Sequence, residues 1–138
     1  MTQQHMSMRT QREQRIQIQV CQWLKLMYPK IIFTCDLSSG MKMTMGQAVQ
    51  SAKMRSSRGL PDLMIFERRG GFNGLFIELK VAGTRIKLKD GTLTTDKHIR
   101  EQYTILCLLM NKGYRAAFGV GFDHTIAIIN EYLALSPK

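Results

Sequence analysis

Residues 75 to 81, Leu-Phe-Ile-Glu-Leu-Lys-Val, constrain what this chain can fold into more than any other stretch. The run starts as an apolar, aromatic and β-branched segment, the composition of a strand in the middle of a sheet. Side chains alternate along a strand, so Glu78 and Lys80 share one face while Ile77 and Leu79 share the other. On an edge strand such a pair is a solvated ion pair of little worth. Here the flanks are apolar and the strand lies mid-chain. Charge buried in that setting is costly unless it is paired or binds a metal.

The remaining elements can be placed around that strand. The N-terminal residues 1 to about 10 are polar without period and are expected to fray. In residues 12 to 29, Ile16, Val20, Trp23, Leu24 and Met27 recur at helical spacing until Pro29 ends the pattern. Ile31 to Cys35 and Asp62 to Phe66 read as strands. Residues 36 to 60 are rich in Gly, Ser, Met and Lys and are expected to be mostly loop, with room for a short helix around 46 to 53. The turn at Gly70-Gly71 makes the second and third strands a hairpin. Asp90-Gly91 marks a smaller one. A helix from Asp96 carries the stripe Ile99, Tyr103, Leu106, Leu109 and Met110 and stops at Gly113. A fourth strand and a closing helix follow. A strand reached through a helix adds parallel to its neighbour by a right-handed crossover. The expectation is one α/β domain over residues 11–138, a mixed sheet with helices on both faces in the order αβββαβα.

Length and charge bound the function. With 138 residues the chain has a core for one domain and too little for two. No window approaches 18 unbroken apolar residues, so no membrane span is expected, and the N-terminus lacks the apolar core of a signal peptide. A cytoplasmic location is expected, the host cell's cytoplasm if the chain is viral. Cys21, Cys35 and Cys107 are far apart in sequence, form no zinc pattern and read as buried thiols. Twenty Lys+Arg against ten Asp+Glu give a net charge of +10. That balance favours polyanions, and without a basic amphipathic helix carrying a Trp/Phe face, nucleic acid is the expected partner rather than a membrane surface.

The second strand also begins with charge: Pro61 marks its start and Asp62 stands first. If strands two and three are antiparallel neighbours, Asp62 lies near Glu78, with the Lys80 ammonium two residues away. Two converging carboxylates repel unless a cation lies between them. An all-oxygen site suits Mg²⁺ or Mn²⁺.

Gly59-Leu60-Pro61-Asp62, followed sixteen residues later by Glu78-Leu79-Lys80, resembles the PD-(D/E)xK nuclease signature. The stretches RSSRGLPDLMIF, GLFIELKVAGTRI and EQYTILCLLMNKGYRAAFGV are more specific. They resemble the virus-type replication-repair nuclease (VRR-NUC) domain in its short, stand-alone phage form, across residues 11 to 125. The resemblance implies a restriction-endonuclease-like fold. It implies that Asp62, Glu78 and the Leu79 carbonyl ligate a metal. It implies that Lys80 positions or activates the attacking water and helps neutralise the transition state.

Two further residues admit two readings each. Glu13 lies on the inward stripe of the first helix; it is either a first-turn acid favoured by the helix dipole or, as the family implies, a glutamate beside the metal. Gln102 is either a core glutamine satisfied by backbone or the family's helix glutamine, orienting Lys80 or a phosphate oxygen. Lys53, Arg55, Arg58, Arg85, Lys87 and Lys89 cluster in sequence around these motifs and are candidate phosphate contacts, although each alone reads equally as a solvated surface charge.

The expected function is a Mg²⁺-dependent DNA endonuclease, with Mn²⁺ able to substitute. By resemblance it is structure-selective, like a Holliday-junction resolvase, and acts on branched DNA as a homodimer, with the Met-rich stretch 41 to 54 as a candidate dimer surface. A flap or nicking endonuclease, or a non-catalytic DNA-binding protein that keeps the fold, are the alternatives.

Overall fold

A computed structural model describes residues 8–36, 43–56 and 59–138. Eight elements follow one another: α1 (Met8–Met27), β1 (Phe33–Cys35), α2 (Met45–Lys53), β2 (Leu63–Ile65), β3 (Leu75–Lys80), α3 (Lys97–Asn111), β4 (Arg115–Val120) and α4 (Phe122–Leu133). The four strands form one sheet in the order β1-β2-β3-β4. β1, β2 and β3 run antiparallel to their neighbours, and β4 joins β3 in parallel. The mixed α/β sheet expected from the sequence is what the chain forms.

β3 is the central strand, and all six of its residues are buried. Leu75, Ile77 and Leu79 enter a core with Leu63 and Ile65 of β2, Val20 and Leu24 of α1, and Ile129, Tyr132 and Leu133 of α4. Each strand side chain there is covered by a helix, which removes apolar surface from water at about 25 cal/mol per Å². The other face of β3 carries Phe76, Glu78 and Lys80. α3 lies on that side, because Gln102 reaches Glu78. Phe76 stacks on Tyr114 at 4.6 Å, which fills the far end of the same face.

Several local expectations change. α1 starts at Met8, so residues 8 to 10, expected to fray, are helical; residues 1 to 7 lie outside the described residues. Its buried face is Gln17, Val20 and Leu24, while Met27 is exposed. α3 buries Ile99, Gln102 and Leu106, and Tyr103 and Met110 flank that line, half exposed. The stripe is therefore rotated toward Gln102, because the glutamine has a partner beneath it. The short helix α2 is an element of its own between β1 and β2. It is opened by a capping box in which Thr44 Oγ1 accepts from Gln47 N at 3.2 Å and Gln47 Oε1 from Thr44 N at 3.1 Å. The cysteines are half-buried, and Cys21 and Cys35, read as separate thiols, are hydrogen-bond partners joining α1 to β1. The small hairpin forms as expected around Gly91 (φ 85°), with Leu88 N donating to Thr92 O and Thr94 N to Ile86 O. No helix among the described residues is long and apolar enough to cross a membrane.

α4 can approach the sheet because of one missing side chain. Gly119 of β4 pairs with Leu79, and a Cβ there would meet Thr125 Oγ1 of α4 and Ile77 Cγ2, the latter at 2.9 Å. Thr125 is fully buried and donates to Gly121 O, so it has nowhere to move. Gly119→Ala is expected to destabilise the fold by roughly 1–3 kcal/mol through overpacking. Urea denaturation checks this; an unchanged midpoint would show that α4 can back away from the sheet.

Candidate active site

The site begins where the β2 ladder stops. β2 pairs Leu63 with Ile77, and carrying that register outward puts Asp62 opposite Glu78 and Pro61 opposite Leu79. Pro61 has no N–H and φ fixed by its ring, so it cannot extend the ladder as a donor. The missing N–H leaves the Leu79 carbonyl without a ladder donor from Pro61, while the Leu79 amide finds its acceptor in a side chain: Leu79 N donates to Asp62 Oδ2 at 2.9 Å, in a buried bond. On its other side, Asp62 O accepts from Asp36 N at 2.7 Å, which ties the end of β1 to the same point.

Asp62, Glu78 and Lys80 are only 5%, 6% and 5% exposed. They line a cavity of about 260 Å³ at the C-terminal end of β3. Arg9, Thr10, Glu13 and Gln17 line it from α1, and His98 and Gln102 from α3. Glu78 Oε1 accepts from Gln102 Nε2 at 2.8 Å, while Gln102 Oε1 is buried with no hydrogen-bond partner among the described residues.

The electrostatics follow from this crowding. Glu78 is pushed up to about 9 by its burial, then by the charge of Asp62 and a hydrogen bond shared with it; Lys80 pulls the other way and Glu13 adds to the rise. Two carboxylates are thus held together with too little positive charge between them. That is the donor set of a hard divalent cation, which takes oxygen ligands and, for Mg²⁺, keeps waters beside one or two carboxylates. Asp62 and Glu78 fit such an ion, and the orphaned Gln102 Oε1 fits a water beside it. Among the described residues no group of three or more His, Cys, Asp or Glu stands close enough to hold a metal. Glu13 therefore lines the cavity without joining the pair, and its carboxylate is instead 3.4 Å from Arg9 Nε.

The structure brings Asp62, Glu78, Leu79, Lys80, Glu13 and Gln102 to one cavity. Gln102 differs from expectation in what it holds: it donates to Glu78, where Lys80 or a phosphate was expected. Of the candidate phosphate contacts, Lys53, Arg55, Arg85, Lys87 and Lys89 are exposed and outside the cavity's lining, and Arg58 lies outside the described residues. Arg55 bonds to Ser51 Oγ, and Lys87 lines a separate cavity with Leu93, Tyr103 and Phe118. Sequence reading missed Arg9, Thr10, Gln17 and His98. Arg9 is four residues before Glu13, and His98 four before Gln102. One helical turn separates each from a residue already singled out, and that spacing was the available signal.

No protein-family model matches the chain, and neither does any curated protein. Among solved structures, one described as "VRR_NUC domain protein" is similar, with a TM-score of 0.64 and 25% sequence identity over 91% of this chain and 90% of that one.

Without a cation, Glu78 ionises near 4.5 in the unfolded chain and near 9 in the folded one. Between those values the folded state binds the extra proton, so stability conferred by the neutral Glu78 is complete below pH 4.5 and is lost as pH rises toward 9. Thermal melts in EDTA from pH 5 to 9 should show this fall, and Glu78→Gln should flatten it. An equally steep fall in the variant would mean that Glu78 is not the group responsible.

Proposed function

We propose that this chain, which has the fold and the motif of a VRR-NUC nuclease domain, hydrolyses phosphodiester bonds in DNA with a divalent cation as cofactor. The observation that carries this reading is the convergence of two buried carboxylates and a buried lysine on one cavity at the end of the central strand. A purely structural domain has no use for that arrangement, since each buried charge costs stability.

Asp62, Glu78 and the Leu79 carbonyl are the groups assigned to the ion, with Glu13 as a further carboxylate nearby. A divalent cation bound there supplies positive charge to a phosphate oxygen and acidifies water. The protein's own part is positional. Asp62 is fixed by the Leu79 amide and Glu78 by Gln102, so neither carboxylate has to be ordered when substrate arrives. A cation held there would favour the ionised form of Glu78. Lys80, on the rigid strand, places an ammonium where negative charge accumulates as the phosphate is attacked.

The exposed cations Lys53, Arg55, Arg85, Lys87 and Lys89, with Arg58 beside them in sequence, fit the flanking backbone of a duplex, where the +10 charge acts at longer range. Junction selectivity and a homodimer belong to the same proposal. α2 supports the dimer: it buries no residue in its own chain, and Met45, Val49 and Met54 are 85%, 50% and 81% exposed. A capped amphipathic helix of this length is marginal unless its apolar side is covered. A second copy of the chain is the proposed cover.

Asp62→Asn, Glu78→Gln and Lys80→Ala should each lower cleavage by roughly a hundredfold or more while DNA is still bound. The measurement is cleavage of labelled four-way junction, flap and linear duplex after EDTA dialysis, with Mg²⁺, Mn²⁺, Ca²⁺ or Zn²⁺ added back. Mg²⁺ and Mn²⁺ should restore activity and Ca²⁺ should restore little; activity in the metal-free protein, or with Zn²⁺ alone, overturns the oxygen-ligand site. Val49→Glu should convert dimer to monomer in sedimentation velocity, and a wild-type protein that sediments as a monomer overturns the dimer.

A further inference from the structure

We propose that Arg9 grips a phosphate of the DNA strand entering the cavity, and that its ion pair with Glu13 is the resting form of that contact. The inference rests on the nuclease reading above and adds to it the residue that couples DNA binding to cation binding.

Arg9, Glu13 and Gln17 stand one turn apart on α1 and all three line the cavity of the two carboxylates. The Arg9 and Glu13 side chains are 73% and 31% exposed, so the Arg9 end of the pair is in water and the Glu13 end leans inward. At 3.4 Å, with one partner solvated, the pair is weak and easily exchanged. A phosphodiester matches the bidentate donor fork of the guanidinium as well as a carboxylate does, so it can take over this weak, solvated contact. His98, from α3, lines the same cavity and offers a ring N–H to the same strand. The phosphate contact thus draws on two helices.

The exchange has a consequence for Glu13. Its charge already reaches Glu78, on which it acts as one of the groups opposing ionisation. While Arg9 holds Glu13, the described residues form no cluster of three metal-ligating side chains. Once phosphate takes Arg9, the Glu13 carboxylate is left facing Asp62 and Glu78 without its counter-charge. A cation is then the group that neutralises it. DNA binding and cation binding are coupled through one arginine, and the coupling is reciprocal.

The test measures binding rather than cleavage. Affinity for a labelled duplex is followed by fluorescence anisotropy against salt in Ca²⁺, and Ca²⁺ affinity by calorimetry without DNA. The proteins are the wild type, Arg9→Ala, Glu13→Gln, their double variant, and Lys112→Ala at the far end of α3 as a surface-charge control. Arg9→Ala should weaken DNA binding roughly threefold to tenfold and make the log–log salt slope less steep by about 0.9, one phosphate contact. The same variant should bind Ca²⁺ more tightly than wild type in the absence of DNA. That gain should vanish when Arg9→Ala is made in the Glu13→Gln background, which separates release of Glu13 from a general change in charge. A salt slope equal to that of Lys112→Ala, or unchanged Ca²⁺ affinity, overturns the inference while leaving a cleaving wild type as a nuclease. A wild type that binds no DNA overturns the nuclease reading and this inference with it.

Discussion

The hydrogen bond from the Leu79 amide to the Asp62 carboxylate decides most of what surrounds it. Pro61 ends β2 as a ladder donor, and the Leu79 amide takes an aspartate side chain as its acceptor instead of a backbone carbonyl. A backbone partner there would have satisfied the amide at no electrostatic cost. The side chain satisfies it too, but it also fixes a carboxylate beside the next residue of β3 that faces the same way, Glu78. The two acids are adjacent because the register sets Asp62 opposite Glu78, and the bond holds the Asp62 side chain in place there. The like-charge crowding descends from it, and it adds to burial, the larger cause, in raising the affinity of Glu78 for its proton.

A site that opposes its own ionisation needs a rigid support. β3 supplies it by being central and buried along its whole length. One face is packed by α1 and α4, so Leu75, Ile77 and Leu79 anchor the strand. The opposite face then presents Glu78 and Lys80 in a fixed register. The parallel partner β4 matters because its pairing runs through Lys80, with Gly121 N donating to Lys80 O. Sites on strands hold their geometry better than sites on loops. The cost of buried charge is met by core burial a few ångströms away on the other side of the same strand.

Much of this was legible in the sequence. The alternation within residues 75–80 gave the shared face of Glu78 and Lys80. The hairpin gave the antiparallel register that brings Asp62 across. The helix before β4 gave its parallel sense. What was hidden depended on side chains meeting from separate elements. The partner of Gln102 could not be read, because a helix stripe states which way a residue points and not which of Glu78 or Lys80 it will reach. Of the basic residues near the motifs in sequence, Lys53, Arg55, Arg85, Lys87 and Lys89 stand outside the cavity's lining, and the hairpin around Gly91 carries Lys87 toward α3 and β4. Arg9 was passed over because it fell in a stretch expected to fray.

α1 shows why such residues escape a pattern search. Its inward line runs Arg9, Glu13, Gln17, then Val20 and Leu24. The first half of that line is polar and faces the cavity; the second half is apolar and faces the core. Averaged over twenty residues, the helix has little apparent amphipathicity, although the line turns inward from Glu13 to Leu24, with Arg9 at its solvent end. Gln17, only 5% exposed, is the junction, lining the cavity while still packed like a core residue. A helix that serves a core at one end and a charged site at the other cannot be uniformly amphipathic. Its failure to show a clean stripe is therefore itself a sign of where the core stops and the chemistry starts.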